Sequence, residues 1–221
     1  MVAESVEEFG LPNALPLPLR GPLEYPSIKP SFEHAFAEKL AAYTIPVVRF
    51  PDGTHVMDSG RIADAIEARY PEPSIRMDSP YVAKVEELMT QIVPSIFGLF
   101  VNRVPERLLN TVSADYFRPT REQRVGMPLD QYEKVAGGQI AIDKARPFIQ
   151  QLTALLGENA GGPFFMGDTV CYGDLTWAAF LIFSRRVGED MFEEIMSMVG
   201  DRGVHERLLE AIAPWAKRCS Y

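Results

Sequence analysis

The histidines and cysteines, the side chains that most often ligate a transition metal, are few and scattered. His34, His55 and His205 share no element at ligand spacing, and Cys171 and Cys219 form neither a C-x-x-C pair nor a zinc pattern. The expectation is no metal site, no disulfide framework and a reduced, cytoplasmic protein. Two groupings stand instead where helices should start. Asp58 and Ser59 follow "THVM" and open a run with apolar residues at Ile62, Ile66 and Tyr70, so their oxygens face the positive end of a helix dipole. Cys171 to Asp174 has the frame of a capping box: Asp174, at the third helical position, can reach back to the Cys171 amide, with Val170 and Leu175 as the flanking staple. A thiol is a poor cap acceptor, so Cys171 reads as a small packed hydrophobe rather than a redox site, at a cost to its helix of about 1 kcal/mol.

The elements that must hold these groups differ along the chain. "TIPVVRF" is β-branched and aromatic, "PDG" at Pro51 to Gly53 suits a tight turn, and "THVM" resumes extended character, which together predict a hairpin. A helix follows from Asp58 until Pro71 stops it. Upstream, "SFEHAFAEKLAAY" predicts a short helix from the spacing of Phe32, Phe36 and Leu40. From Pro80 onward strand signals vanish. Tyr81 through Phe100 predicts one long helix with a kink at Pro94, Ile140 to Gly157 another, and "VCYGDLTWAAFLIFSRR" a buried central helix. Met191 to Val199 and Val204 to Ile212 close the chain. The organisation expected is a proline-rich segment over 1–22, a truncated α/β domain over 23–73 and an all-helical domain over 80–221.

Composition narrows the partners. The chain has 221 residues, 47% of them hydrophobic, and a formal charge of −8 from 30 acids against 22 Lys and Arg, which argues against nucleic acid and for a small molecule or protein. The most apolar stretch, Ile92 to Val101, is about half the roughly 20 residues that a membrane-spanning helix needs, so no membrane span is expected.

Two motifs in these contexts carry a resemblance. "YTIPVVRFPDGTHVMDSGRIADAIEARYPEP", Tyr43 to Pro73, resembles the glutathione-binding half of the glutathione transferases, and "GPFFMGDTVCYGDLTWAAFL", Gly162 to Leu181, resembles their C-terminal signature. "LEYPSIKP" is similar to an element of fungal transferases related to etherases. The resemblance runs from about Leu23 to Phe183 and implies the glutathione transferase fold: a thioredoxin-like N-terminal domain followed by an all-α domain. It further implies glutathione as cofactor, an apolar small-molecule substrate and a homodimer. In this family the proline after Ile45, Pro46, belongs to a cis peptide that turns the Ile45 backbone toward the cysteinyl part of glutathione, which docks as an added strand. Ser59 and the first amides of its helix would receive the γ-glutamyl carboxylate, and Asp58 its ammonium.

The start of the chain departs from that pattern. Family members activate the glutathione thiol with a donor at the end of strand one or the start of helix one, and related fungal enzymes carry a Ser-Pro-Asn turn there. Here the nearest match is "LPN", Leu11 to Asn13, within a segment whose Pro12, Pro16, Pro18 and Pro22 admit no helix or central strand, so the expectation is a domain that lacks a normal first strand and helix. Asn13 is the candidate thiol donor. An incomplete gene reading, a remodelled site and a lost activity all stay open at this point. The functional expectation is an enzyme of fungal secondary metabolism, a branch that includes conjugating enzymes and a double-bond cis/trans isomerase of the pseurotin and synerazol pathway. The alternative is a ligandin-like module that binds glutathione or apolar ligands without chemistry. Ile92, Ile96, Phe97 and Phe100 are candidates to bound the substrate pocket.

Overall fold

The computed structural model describes residues 46–159 and 161–216. Asn13, Ile45, the proline-rich segment, the helix expected from "SFEHAFAEKLAAY" and Cys219 lie outside the described residues. The chain divides into two compact units, Met1–Ser74 and Ile75–Tyr221.

In the first unit the hairpin forms where β-branched residues flank the Pro-Asp-Gly turn. Strand β1 (Val47–Arg49) pairs antiparallel with β2 (His55–Met57), in the register Val47↔Met57, Val48↔Val56, Arg49↔His55. Gly53 takes φ 85°, a conformation that favours glycine, and Asp52 Oδ1 accepts from the Thr54 amide at 2.8 Å. Helix α1 (Ser59–Arg69) follows at once and buries Ile62 and Ala63. Its last residue reaches back to the turn: the Arg69 guanidinium lies 4.0 Å from the Phe50 ring centre and pairs with Asp52 at 3.2 Å. That contact fixes the hairpin tip against the end of the helix.

The second unit is helical. Ser79 caps α2 (Pro80–Ser95) by accepting from the Tyr81 amide, with Pro80 at the first helical position where its missing N–H costs nothing. The single long helix expected through Phe100 is divided: α2 ends one residue after Pro94, Ile96 leaves helical geometry, and α3 (Phe97–Phe100) starts anew. Three further helices, α4 (Arg103–Arg107), α5 (Thr111–Val125) and α6 (Leu129–Ala136), lead into α7 (Gly138–Gly157). Then come α8 (Tyr172–Val187), α9 (Glu189–Met196) and α10 (Arg202–Ile212). Their core packs Val85 and Ile92 of α2, Ile149 and Leu152 of α7, Trp177 and Leu181 of α8, and Leu208 of α10. Pro147 lies inside α7, which runs for 20 residues. Among the described residues no helix is long and apolar enough to cross a membrane.

Candidate functional site

Asp58 and Ser59 sit at the mouth of the hairpin. Asp58 follows β2 directly and caps α1, its Oδ1 accepting from the amides of Gly60 at 3.1 Å and Arg61 at 3.3 Å. To do so it takes φ 79° and ψ 127°, a backbone region that a non-glycine residue occupies only under constraint from its surroundings. Ser59 is the first helical residue, and its hydroxyl is exposed with no protein partner among the described residues. Pro46 immediately precedes β1 and Asp58 immediately follows β2, at the end of the hairpin where Val47 pairs with Met57. The hairpin therefore gathers Pro46, Asp58 and Ser59, thirteen positions apart in sequence at most, at one exposed end.

The cap alters which donors that end can offer. Two of the first-turn amides expected to meet an anion, those of Gly60 and Arg61, are already engaged by the Asp58 carboxylate. What faces outward is the Ser59 hydroxyl, the start of the dipole, and a carboxylate with one oxygen free of these bonds. A zwitterion with adjacent ammonium and carboxylate groups is the chemical shape that matches.

The second motif is structural. Asp174 is fully buried; Oδ2 accepts from the Cys171 amide and Oδ1 from the Phe165 amide, both at 2.8 Å. Burial pushes its carboxyl above the usual range while those two amides pull it down. Burial, reinforced by the neighbouring Asp174 charge, pushes the Cys171 thiol up to about 11, so it stays a thiol at neutral pH and has no nucleophilic role. The return arm of the capping box and the reading of Cys171 as packing both hold.

The expected pocket residues separate. Ile92 and Ile96 have no exposed surface and belong to the core, so they cannot line a pocket. Phe97 and Phe100 are half-buried and pack edge to face at 5.3 Å, continued by Phe97 against Tyr132 and Phe100 against Phe183. A cleft of about 380 Å³ opens elsewhere, between α2 and α7, lined by Lys84, Leu88, Gln91, Phe148 and Leu155 among others and by none of the expected four. Among the described residues no group of three or more His, Cys, Asp or Glu could hold a metal.

The likeness extends beyond these motifs. The glutathione S-transferase C-terminal domain pattern matches residues 83–215. Glutathione S-transferase-like protein ustS of Aspergillus flavus is 25% identical, over 78% of this chain and 67% of that protein. Among solved structures, glutathione transferase GSTFuA3 from Phanerochaete chrysosporium is 27% identical with a TM-score of 0.70, covering 87% of this chain and 81% of that one. A glutathione S-transferase of Ceriporiopsis subvermispora, solved in complex with glutathione, shares the fold at 24% identity and a TM-score of 0.70, over 87% and 82% of the two chains. The fold is that of a glutathione transferase, with the small sheet in the N-terminal unit and the helical bundle after it. The chain belongs to the glutathione S-transferase family.

Proposed function

We propose that the chain binds glutathione at the open end of the hairpin and uses its thiolate on an apolar, conjugated alkene. The observation that carries this reading is the open end of the hairpin, where Pro46 leads into β1 and a strained, helix-capping Asp58 leaves β2 with the Ser59 hydroxyl exposed beside it. Ser59 would receive the γ-glutamyl carboxylate and Asp58 the ammonium, while the backbone before Pro46, at Ile45, would pair with the cysteinyl unit. The structure solved with glutathione supports this ligand, and the fungal relative named transferase-like supports the family.

The thiolate sulfur would add to the electron-poor carbon of the alkene, pushing the π electrons onto the conjugated acceptor. Protonation of that carbanion gives a conjugate. Rotation about the new single bond followed by loss of the sulfur gives the other alkene isomer and returns the thiolate. Asn13 is the proposed donor to the sulfur, and Phe97 and Phe100 are the surviving candidates for contact with the substrate. The protein would act in the cytoplasm as a homodimer.

Titration calorimetry of the full chain with glutathione tests the site, and chromatography of a conjugated alkene incubated with and without glutathione tests the chemistry. Saturable binding with glutathione-dependent adduct or isomer is expected. Absence of binding at millimolar glutathione would sink the proposal, and binding without turnover would reduce it to a ligand-holding module.

A further inference from the structure

Asn102 occupies the turn between α3 and α4 and is nine-tenths buried, at 6% exposure. It stands where a helix cap would, yet its side chain makes no bond to the first turn of α4. It turns instead to α6, where Nδ2 donates to Glu133 Oε2 at 2.6 Å. The other end of the amide, Oδ1, is fully enclosed and receives no donor from any described residue.

The orientation of the amide is constrained. Reversing it would set Oδ1 against a carboxylate oxygen, two acceptors in contact, unless Glu133 carried a proton. Arg103, next in the chain, adds a positive charge near Glu133 as well as pairing with Glu194. Oδ1 thus points away from Glu133. The backbone nearby offers it little: the amides of Val101, Leu108 and Leu109 are engaged by other carbonyls, that of Glu106 by the Asn102 carbonyl, and Pro105 has none. Enclosed amide oxygens in folded proteins almost always have a donor, from protein or from ordered water.

We infer that Asn102 Oδ1 is the fixed acceptor of a one-molecule internal water site that joins the α3–α4 turn to α6. Water is the guest of the right chemistry, since it donates to Oδ1 and keeps a second hydrogen and two lone pairs for the surrounding polar groups. The site would complete a polar seam beside the close approach of Gly98 and Gly137, where these same segments meet backbone to backbone.

A crystal structure of the full chain, at a resolution where waters are placed without ambiguity, gives the direct test. A peak within about 3.2 Å of Oδ1 is expected. A protein donor at Oδ1, or a closed site without a peak, overturns the inference. In solution, the Asn102 side-chain amide protons should show cross-peaks to a long-lived water, and their absence counts equally against it. Glu133→Gln keeps the amide acceptor and should keep the water; loss of the peak in that variant would assign the site to the carboxylate and overturn the role given to Asn102.

Discussion

The indole N–H of Trp177 donates to Nδ1 of His205 at 2.9 Å, inside a core where neither residue has exposed surface. Because Nδ1 accepts, the ring proton lies on Nε2, which donates to Thr153 Oγ1 at 2.9 Å; that hydroxyl in turn donates to the Ile149 carbonyl at 2.9 Å. The chain ties α8, α10 and α7 together through one neutral imidazole. Protonating the ring would place two donors, the indole N–H and the new Nδ1–H, against each other.

Acid should therefore unfold the helical unit through His205. Burial holds its pKa down at about 4, against an ordinary 6.5. As pH falls below 6.5 the unfolded chain takes the proton first, so the stabilisation is complete above that pH and drains away down to about 4, a loss on the order of 3 kcal/mol. Asp174, raised by burial, contributes in the opposite sense as acid protonates it. Urea midpoints at pH 7 and 4.5 for the parent and His205→Gln separate the two. The parent should lose more stability between those pH values than the variant, and equal losses would exclude His205 as the trigger.

Removing the Asp174 carboxylate should cost far more than an ordinary helix cap. Asp174→Ala strands the buried Cys171 and Phe165 amides together, at about 1–3 kcal/mol for each lost acceptor. Asp174→Asn keeps one good acceptor and should fall between parent and alanine. Cys171→Ser restores a hydroxyl cap and should raise the urea midpoint by up to about 1 kcal/mol. A Cys171→Ser variant less stable than the parent would mean that packing of the sulfur outweighs capping at this position.

Gly98 of α3 and Gly137 before α7 set a separate steric limit. A methyl group on Gly98 would overlap the Ala136 carbonyl and the Gly137 amide, which are backbone and cannot rotate aside. Gly98→Ala should destabilise by roughly 1–3 kcal/mol or more through overpacking. Gly53→Ala meets nothing but sits at φ 85° and should cost about 1 kcal/mol. Thermal melts of the two variants should show the larger fall for Gly98→Ala.

These relationships mark how far the sequence could be read. The hairpin, α1, α7, α8 and the reach of Asp174 to Cys171 follow from local signals: β-branched runs about a Pro-Asp-Gly turn, apolar spacing, and residues three apart in the chain. The segment from Arg103 to Ala136 gave no such signal. Helix α5 has no buried residue, so no apolar stripe betrays it, and α4 is only five residues long. Arg103 finds Glu194 91 positions away, in a two-pronged pair at 2.7 and 2.9 Å, a match that spacing along one chain cannot announce. His205 showed only that it shares no ligand spacing with the other histidines; its partners Trp177 and Thr153 come from other helices. In the candidate site, Asp58 and Ser59 were legible as a helix start, whereas the φ of Asp58 and its hold on the Gly60 and Arg61 amides are visible only in three dimensions.

That double demand on Asp58, capping α1 and presenting a charge, makes its substitutions diagnostic. Asn caps a helix as well as Asp and tolerates positive φ, so Asp58→Asn should leave the thermal midpoint within about 0.5 kcal/mol of the parent. It removes the negative charge. If Asp58 pairs with the ammonium of glutathione, affinity by calorimetry should fall about tenfold or more, the scale of one charge-assisted hydrogen bond. Asp58→Ala should lose the cap as well, with about 1 kcal/mol of stability. Ser59→Ala leaves both the cap and the charge in place and should weaken binding without moving the melt, because no described residue depends on its hydroxyl. Should Asp58→Asn bind glutathione as tightly as the parent while Asp58→Ala does not, the carboxylate serves the helix alone, and the ammonium must find its anion elsewhere.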